Sequence, residues 1–160
     1  MYEIYLALGT NLGDKKANLK LAIECLSGFV WDIRSSAFYE SAPMYVEDQP
    51  SFVNMVVGGQ TELTPLDLLD RLKDLEEEIG RRPTFRNGPR VIDLDILYHG
   101  DCLMTTERLS IPHISIQERE FVLLPLMDIC PDRIDERTGK TVREMTEALP
   151  DTRGLIRLDD

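Results

Sequence analysis

Two aspartates one residue apart, Asp93 and Asp95, are the residues of this chain most obviously suited to chemistry. They sit in Val91-Ile92-Asp93-Leu94-Asp95-Ile96-Leu97, where the two-residue period of a strand puts both carboxylates on one face. Ile92, Leu94 and Ile96 then turn the other way, into a core. Carboxylates that close repel one another unless a cation lies between them. Hard oxygen donors of this kind suit magnesium, which takes one or two carboxylates and completes its shell with phosphate oxygens and water. Alone, an Asp-x-Asp reads equally well as a solvated strand edge. What tips the balance lies just upstream: Arg81, Arg82, Arg86 and Arg90 fall within ten residues that contain no acid, in a chain of formal net charge -11. Guanidiniums fork onto phosphate oxygens while the aspartates hold the bridging metal. The pair predicts a magnesium–ATP site and a small phosphoryl-transferring enzyme.

Other phosphate signatures are missing. Gly9-Thr10-Asn11-Leu12-Gly13-Asp14-Lys15 lacks the Gly-Lys-Ser/Thr ending of a P-loop and reads better as a strand-to-helix turn. There is no kinase His-Arg-Asp motif, no Gly-x-Ser-x-Gly elbow and no His-Glu-x-x-His helix. His113, Phe52 and Phe121, taken singly, default to structural roles. Transfer would rest on positioning and charge neutralisation.

The elements that must position these groups follow from periodicity. Residues 4–8 form an apolar run ending at Gly9, which predicts a buried strand. Asp14 caps a helix carrying Leu19, Ala22, Ile23 and Leu26. Residues 30–40 look extended, and residues 41–50, with two prolines, form a long loop of the functional kind. Residues 52–58 alternate as a strand, with Phe52, Asn54 and Val56 on one face and Val53, Met55 and Val57 on the other. Thr64-Pro65-Leu66-Asp67 starts a helix whose stripe of Leu69, Leu72, Leu75 and Ile79 stops at Gly80. A second loop, residues 81–89, leads into a strand over residues 91–98. Residues 103–112 read as irregular, residues 121–129 as a short buried helix. The tail beyond Pro131 carries little pattern apart from a helix near residues 142–148. The order strand, helix, two strands, helix, strand predicts an α+β fold, a ferredoxin-like sandwich with an antiparallel sheet and long active-site loops.

The bulk numbers bound the rest. With 160 residues, 42% hydrophobic and 29% charged, the chain fits one globular domain, residues 1–160. Its acidity argues against nucleic-acid or anionic-membrane partners. Three scattered cysteines, Cys25, Cys102 and Cys130, form no CxxC pair and suit a reducing cytoplasm. No apolar run is long enough to span a bilayer, and the N-terminus lacks a signal peptide's basic region. The expectation is a cytoplasmic, soluble monomer or homodimer.

At this point the motifs resemble a family. Gly88-Pro89-Arg90-Val91-Ile92-Asp93-Leu94-Asp95-Ile96-Leu97 is similar to the hallmark of the 6-hydroxymethyl-7,8-dihydropterin pyrophosphokinases of folate synthesis. Leu8-Gly9-Thr10-Asn11-Leu12-Gly13, Asp48-Gln49-Pro50 with Phe52 and Asn54, and Pro112-His113 with Arg119 and Phe121 follow in the family's order, over roughly residues 4–131. The resemblance implies transfer of the β,γ-diphosphate of ATP to the pterin hydroxymethyl group, releasing AMP. It implies two magnesium ions on Asp93 and Asp95, and catalytic roles for Arg81, Arg90 and Asp95. It also implies ATP contacts from Lys73, Glu76, Arg82, Arg86, Ile96, Arg108, Leu109, Ser110, His113 and Arg119. The pterin would stack between Phe52 and Phe121, with Asn54 bonding its ring and the backbone of Ser41, Ala42, Pro43 and Met44 reading its amide edge. Three positions depart from the family: Asn87 stands where tryptophan is common, Ala42 where proline is usual, and Ile114 where an aromatic is frequent. A nucleotide-sensing domain without catalysis, an RNA-binding ferredoxin-like domain and an ADP-forming kinase are the competing readings. The first has no need of the full catalytic set, and the second lacks a basic face.

Overall fold

The computed structural model describes residues 1–41, 51–80, 91–150 and 155–158. The expected positions Ala42, Pro43, Met44, Arg81, Arg82, Arg86 and Arg90, and the departure Asn87, lie outside the described residues.

The central sheet is antiparallel, in the order β5–β1–β4–β3–β8, with β2 also paired to β4. Its strands are β1 (Tyr2–Thr10), β2 (Trp31–Ser35), β3 (Phe38–Ser41), β4 (Phe52–Thr61), β5 (Asp93–His99) and β8 (Leu155–Leu158). Helices α1 (Lys15–Leu26) and α2 (Pro65–Ile79) connect β1 to β2 and β4 to β5. This is the ferredoxin-like order that the sequence predicts. Both helices begin where the caps stand: Asp14 accepts the N–H of Ala17 at 3.1 Å, and Thr64 that of Asp67 at 3.4 Å, with Pro65 at the first helical position.

One face of the sheet packs Ile4, Leu6, Leu8, Val53, Met55, Val57, Leu94 and Ile96 against Leu19, Leu26, Leu68, Leu72 and Leu75 of α1 and α2. The opposite face carries a second layer, in which Tyr5, Val56, Leu97 and Tyr98 meet Val122, Leu126, Val142 and Met145. These come from α3 (Glu120–Ile129) and α4 (Val142–Glu147).

Four details differ from the sequence reading. The stretch 30–40 is two strands, not one: the break falls at Ser36, which exchanges hydrogen bonds with the main chain of Val56, while Asp32, at φ 54°, sits at an irregularity inside β2. The β5 strand begins at Asp93, with Val91 and Ile92 ahead of it. The stretch 103–112 contains a small hairpin, β6 (Met104–Thr105) with β7 (Ser110–Ile111). The tail supplies an edge strand, β8, seated on β3.

Candidate active site

The site is a trough across three strands on the α3 face of the sheet. In the ladder, Asn54 of β4 lies opposite Gly9 of β1, and Gly9 lies opposite Asp93 of β5. One step along, Val56, Ala7 and Asp95 form the next row. Directly paired residues share a face. The middle strand therefore offers only a hydrogen and a methyl between Asn54 on one side and two carboxylates on the other. Two inter-strand spacings put those flanks about 10 Å apart. The resulting cavity holds about 830 Å³.

Gly9 is there for space rather than for backbone freedom, since its φ lies outside the left-handed region. A Cβ built on it would stand 2.7 Å from the side-chain oxygen of Asn54. The other end of that amide donates from Nδ2 to the hydroxyl of Ser41 at 3.2 Å. Asn54, 9% exposed, is thus bonded at one end and faces Gly9 closely at the other. Phe52 follows on the same face of β4, and Phe121 comes from the first turn of α3. Ser41, Phe52, Asn54 and Phe121 line one cavity with Asp93 and Asp95.

The groups beyond the aspartates arrive from α2 and from the segment before α3. Glu76 accepts the N–H of Leu94 at 2.7 Å and the ammonium of Lys73 at 3.1 Å. Burial pushes its carboxyl above the ordinary carboxylate value, against the pull of those two donors. The main-chain N–H of His113 donates to Leu97 at 3.1 Å, which ties this segment to the end of β5. Its ring Nδ1 accepts the N–H of Ser115 at 3.2 Å, so the neutral ring carries its proton on Nε2. Burial lowers the His113 pKa; Asp95 opposes that shift and Arg119 adds to it. The guanidinium of Arg119 lies 5.4 Å from the ring centre of Phe121, within cation–π range.

The structure therefore gathers Ser41, Phe52, Asn54, Lys73, Glu76, Asp93, Asp95, His113, Arg119 and Phe121 around one cavity. It does not bring in every expected side chain. Ile96, one residue from Asp95, is buried on the opposite face, and Leu109 joins the same core. Arg108 is exposed and pairs with Asp70 of α2, while Ser110 is taken up in the β6–β7 hairpin. Sequence reasoning missed Ala7 and Gly9 as the cavity floor. It also missed Leu149 and Pro150, which line the cavity from the end of α4. The run Tyr5-Leu6-Ala7-Leu8-Gly9 does carry a signal, because residue size shrinks along one face toward the helix turn.

Among the described residues no three metal-binding side chains cluster together. What β5 offers is a two-carboxylate set facing an open cavity. That suits a hard cation which takes its remaining oxygens from substrate and water, and it does not suit a closed protein cage.

A family model for 7,8-dihydro-6-hydroxymethylpterin-pyrophosphokinase matches residues 5–131. The chain belongs to this family. Its members include the 2-amino-4-hydroxy-6-hydroxymethyldihydropteridine pyrophosphokinase of Haemophilus influenzae, 42% identical over 136 residues that cover 84% of this chain and 85% of that protein. The Schizosaccharomyces pombe folic acid synthesis protein fol1 is 42% identical over 150 residues, 91% of this chain and 20% of that one. Against several eukaryotic folate-synthesis relatives the chain spans 20% to 27% of their length. Among solved structures, the wild-type Plasmodium falciparum HPPK-DHPS superposes with a TM-score of 0.75 at 18% identity, over 91% of this chain and 44% of that one. At that identity the likeness establishes a shared α+β pyrophosphokinase fold.

Proposed function

We propose that the chain transfers the β,γ-diphosphate of ATP to the hydroxymethyl group of 6-hydroxymethyl-7,8-dihydropterin, as a magnesium-dependent diphosphokinase of folate synthesis. The observation that carries this reading is the row Asn54–Gly9–Asp93. It sets a heterocycle-reading amide and a metal-ready carboxylate at opposite flanks of one trough, with aromatic rings on the amide's side.

In this reading Phe52 and Phe121 stack the flat ring and Asn54 bonds its edge, a division of labour suited to a polar heterocycle. Asp93 and Asp95 hold two magnesium ions, which when bound neutralise phosphate charge and favour the hydroxyl as nucleophile. The hydroxymethyl oxygen forms a bond to the β-phosphorus, the bridge between the α and β phosphates breaks, and AMP leaves with the bridging oxygen. The hydroxyl proton passes to solvent or to a phosphate oxygen. His113 and Arg119, at the rim beside Asp95, grip the nucleotide together with Lys73 and Glu76. Arg81 and Arg90 offset charge on the transferred group, and Arg82 and Arg86 add to the grip on phosphate.

Residues 1–160 act as one domain, a reading supported by β8 joining the same sheet as β1. No described helix is long and apolar enough to cross a membrane. We read the chain as a cytoplasmic monomer or homodimer acting on small molecules, its formal net charge of -11 disfavouring nucleic acid and anionic membrane surfaces as partners. The deciding assay incubates the protein with magnesium, ATP and the dihydropterin and identifies the nucleotide product by chromatography. AMP in step with pterin diphosphate is expected. ADP would make the protein an ordinary kinase, and no turnover with or without added magnesium would overturn the reading.

A further inference from the structure

We propose that Leu149 is a binding residue for the acceptor, forming with Pro150 a third wall of the pocket beside the two phenylalanines. The proposal rests on the pyrophosphokinase reading above. Both residues lie beyond the stretch matched by the family model, which ends at residue 131.

Three observations converge. First, Leu149 and Pro150 line the same cavity as Ser41, Phe52, Asn54 and Phe121. Second, Leu149 is half-buried and packs, as Phe121 and Ala7 do, against the α3-side core. Its position there is set by α4. Thr141 and Glu144 close a capping box at the start of that helix, Val142 and Met145 are buried under it, and the N–H of Leu149 donates to Thr146 at 3.1 Å at its end. Third, the chain is anchored again on the acceptor side of the trough. Leu155 of β8 pairs with Ser41, the residue that holds Asn54. Arg157, in the same strand, reaches Asp128 of α3 at 3.6 Å, and Asp128 accepts the hydroxyl of Tyr39 at 2.9 Å. Five residues span at most about 18 Å, so Pro150, at the end of α4, lies within that reach of the strand beside Ser41. Apolar surface at that place suits the face or rim of a stacked ring and not a triphosphate.

The test is steady-state kinetics on Leu149→Ala with both substrates varied, alongside its thermal midpoint. A wall residue raises KM for the dihydropterin about tenfold, leaves KM for ATP unchanged and keeps kcat within about twofold. Leu149→Met, which conserves volume, raises the acceptor KM less than Leu149→Ala does. If Leu149→Ala does not fold, Leu149→Val carries the same test with a smaller rise, about threefold. An unchanged acceptor KM, or equal rises for both substrates, overturns the proposal, because a merely structural side chain would act that way. Wild-type protein forming no AMP defeats the underlying reading instead, so the two failures are distinguishable.

Discussion

Gly9→Ala puts the geometry of the trough to its hardest test. Because the φ of Gly9 is one that alanine adopts freely, the substitution in open space would stabilise the fold by about 0.4–1 kcal/mol through the unfolded state. Any loss must therefore come from collision. The new methyl would lie 2.7 Å from Oδ1 of Asn54, against an ordinary carbon contact of about 3.5 Å. The amide must retreat by close to an ångström, yet its other end is bonded to Ser41 and the residue is nearly buried. Giving up that hydrogen bond costs about 1 kcal/mol. Misdirecting the bond proposed from Asn54 to the acceptor costs about 1–2 kcal/mol. The first loss is shared by free and bound enzyme and shows in stability; the second corresponds to a rise of roughly 5- to 30-fold in KM for the dihydropterin, with KM for ATP unchanged because the proposed nucleotide side is the far flank. The assay is the two-substrate kinetics together with a double-mutant cycle against Asn54→Ala. In that background the penalty of Gly9→Ala should largely vanish. An acceptor KM within threefold of wild type, or a penalty that persists undiminished without Asn54, would refute the argument.

Two further predictions concern charge. Asp95→Asn should lower kcat by at least about a hundredfold, on the scale expected for losing a metal's charge stabilisation. The thermal midpoint should barely move, since Asp95 lines a cavity and belongs to neither core; a wild-type rate would remove it from metal binding. At alkaline pH, burial pushes Tyr5 and Tyr39 up to about 12 and Tyr98 higher still, with Asp128 and Asp135 as acidic neighbours of the last two. A folded-state pKa raised above the unfolded value of about 10 gives stability that is complete below pH 10 and lost as pH rises toward 12. Ultraviolet titration should show these three phenols ionising late and together with unfolding. Their ionisation near pH 10 in folded protein would contradict the packing described for α3 and α4.

Much of the frame was legible because local signals and tertiary packing agree. The caps at Asp14 and Thr64, the leucine stripe of α2 and the alternation of Phe52 to Val57 each obey a rule with a short range, and each appears where expected. The paired aspartates were legible for the same reason, since alternation alone fixes their common face. The side chains that failed to reach the cavity failed by that rule too. Ile96 cannot share a face with Asp95, and motif position says nothing of the direction in which Leu109 or Arg108 points.

What the sequence hid depends on register. No local pattern states that Gly9 stands between Asn54 and Asp93, because that requires pairing β1 with strands about 45 and 85 residues downstream. The same holds for β8, whose four residues are too few to announce a strand and become one only by completing the edge of β3. Function here is thus a property of the rows across the sheet rather than of the motifs along the chain. The Asp-x-Asp strand supplies one flank, and a separate strand supplies the aromatic and amide. The strand between them fixes the separation of the two flanks, and its glycine and alanine, featureless as a motif, keep the trough open. That spacing is the quantity a diphosphate transfer must control, since the hydroxyl and the β-phosphorus have to meet in near-attack geometry. In the proposed reaction the smallest residues in the trough therefore matter as directly as the charged ones do.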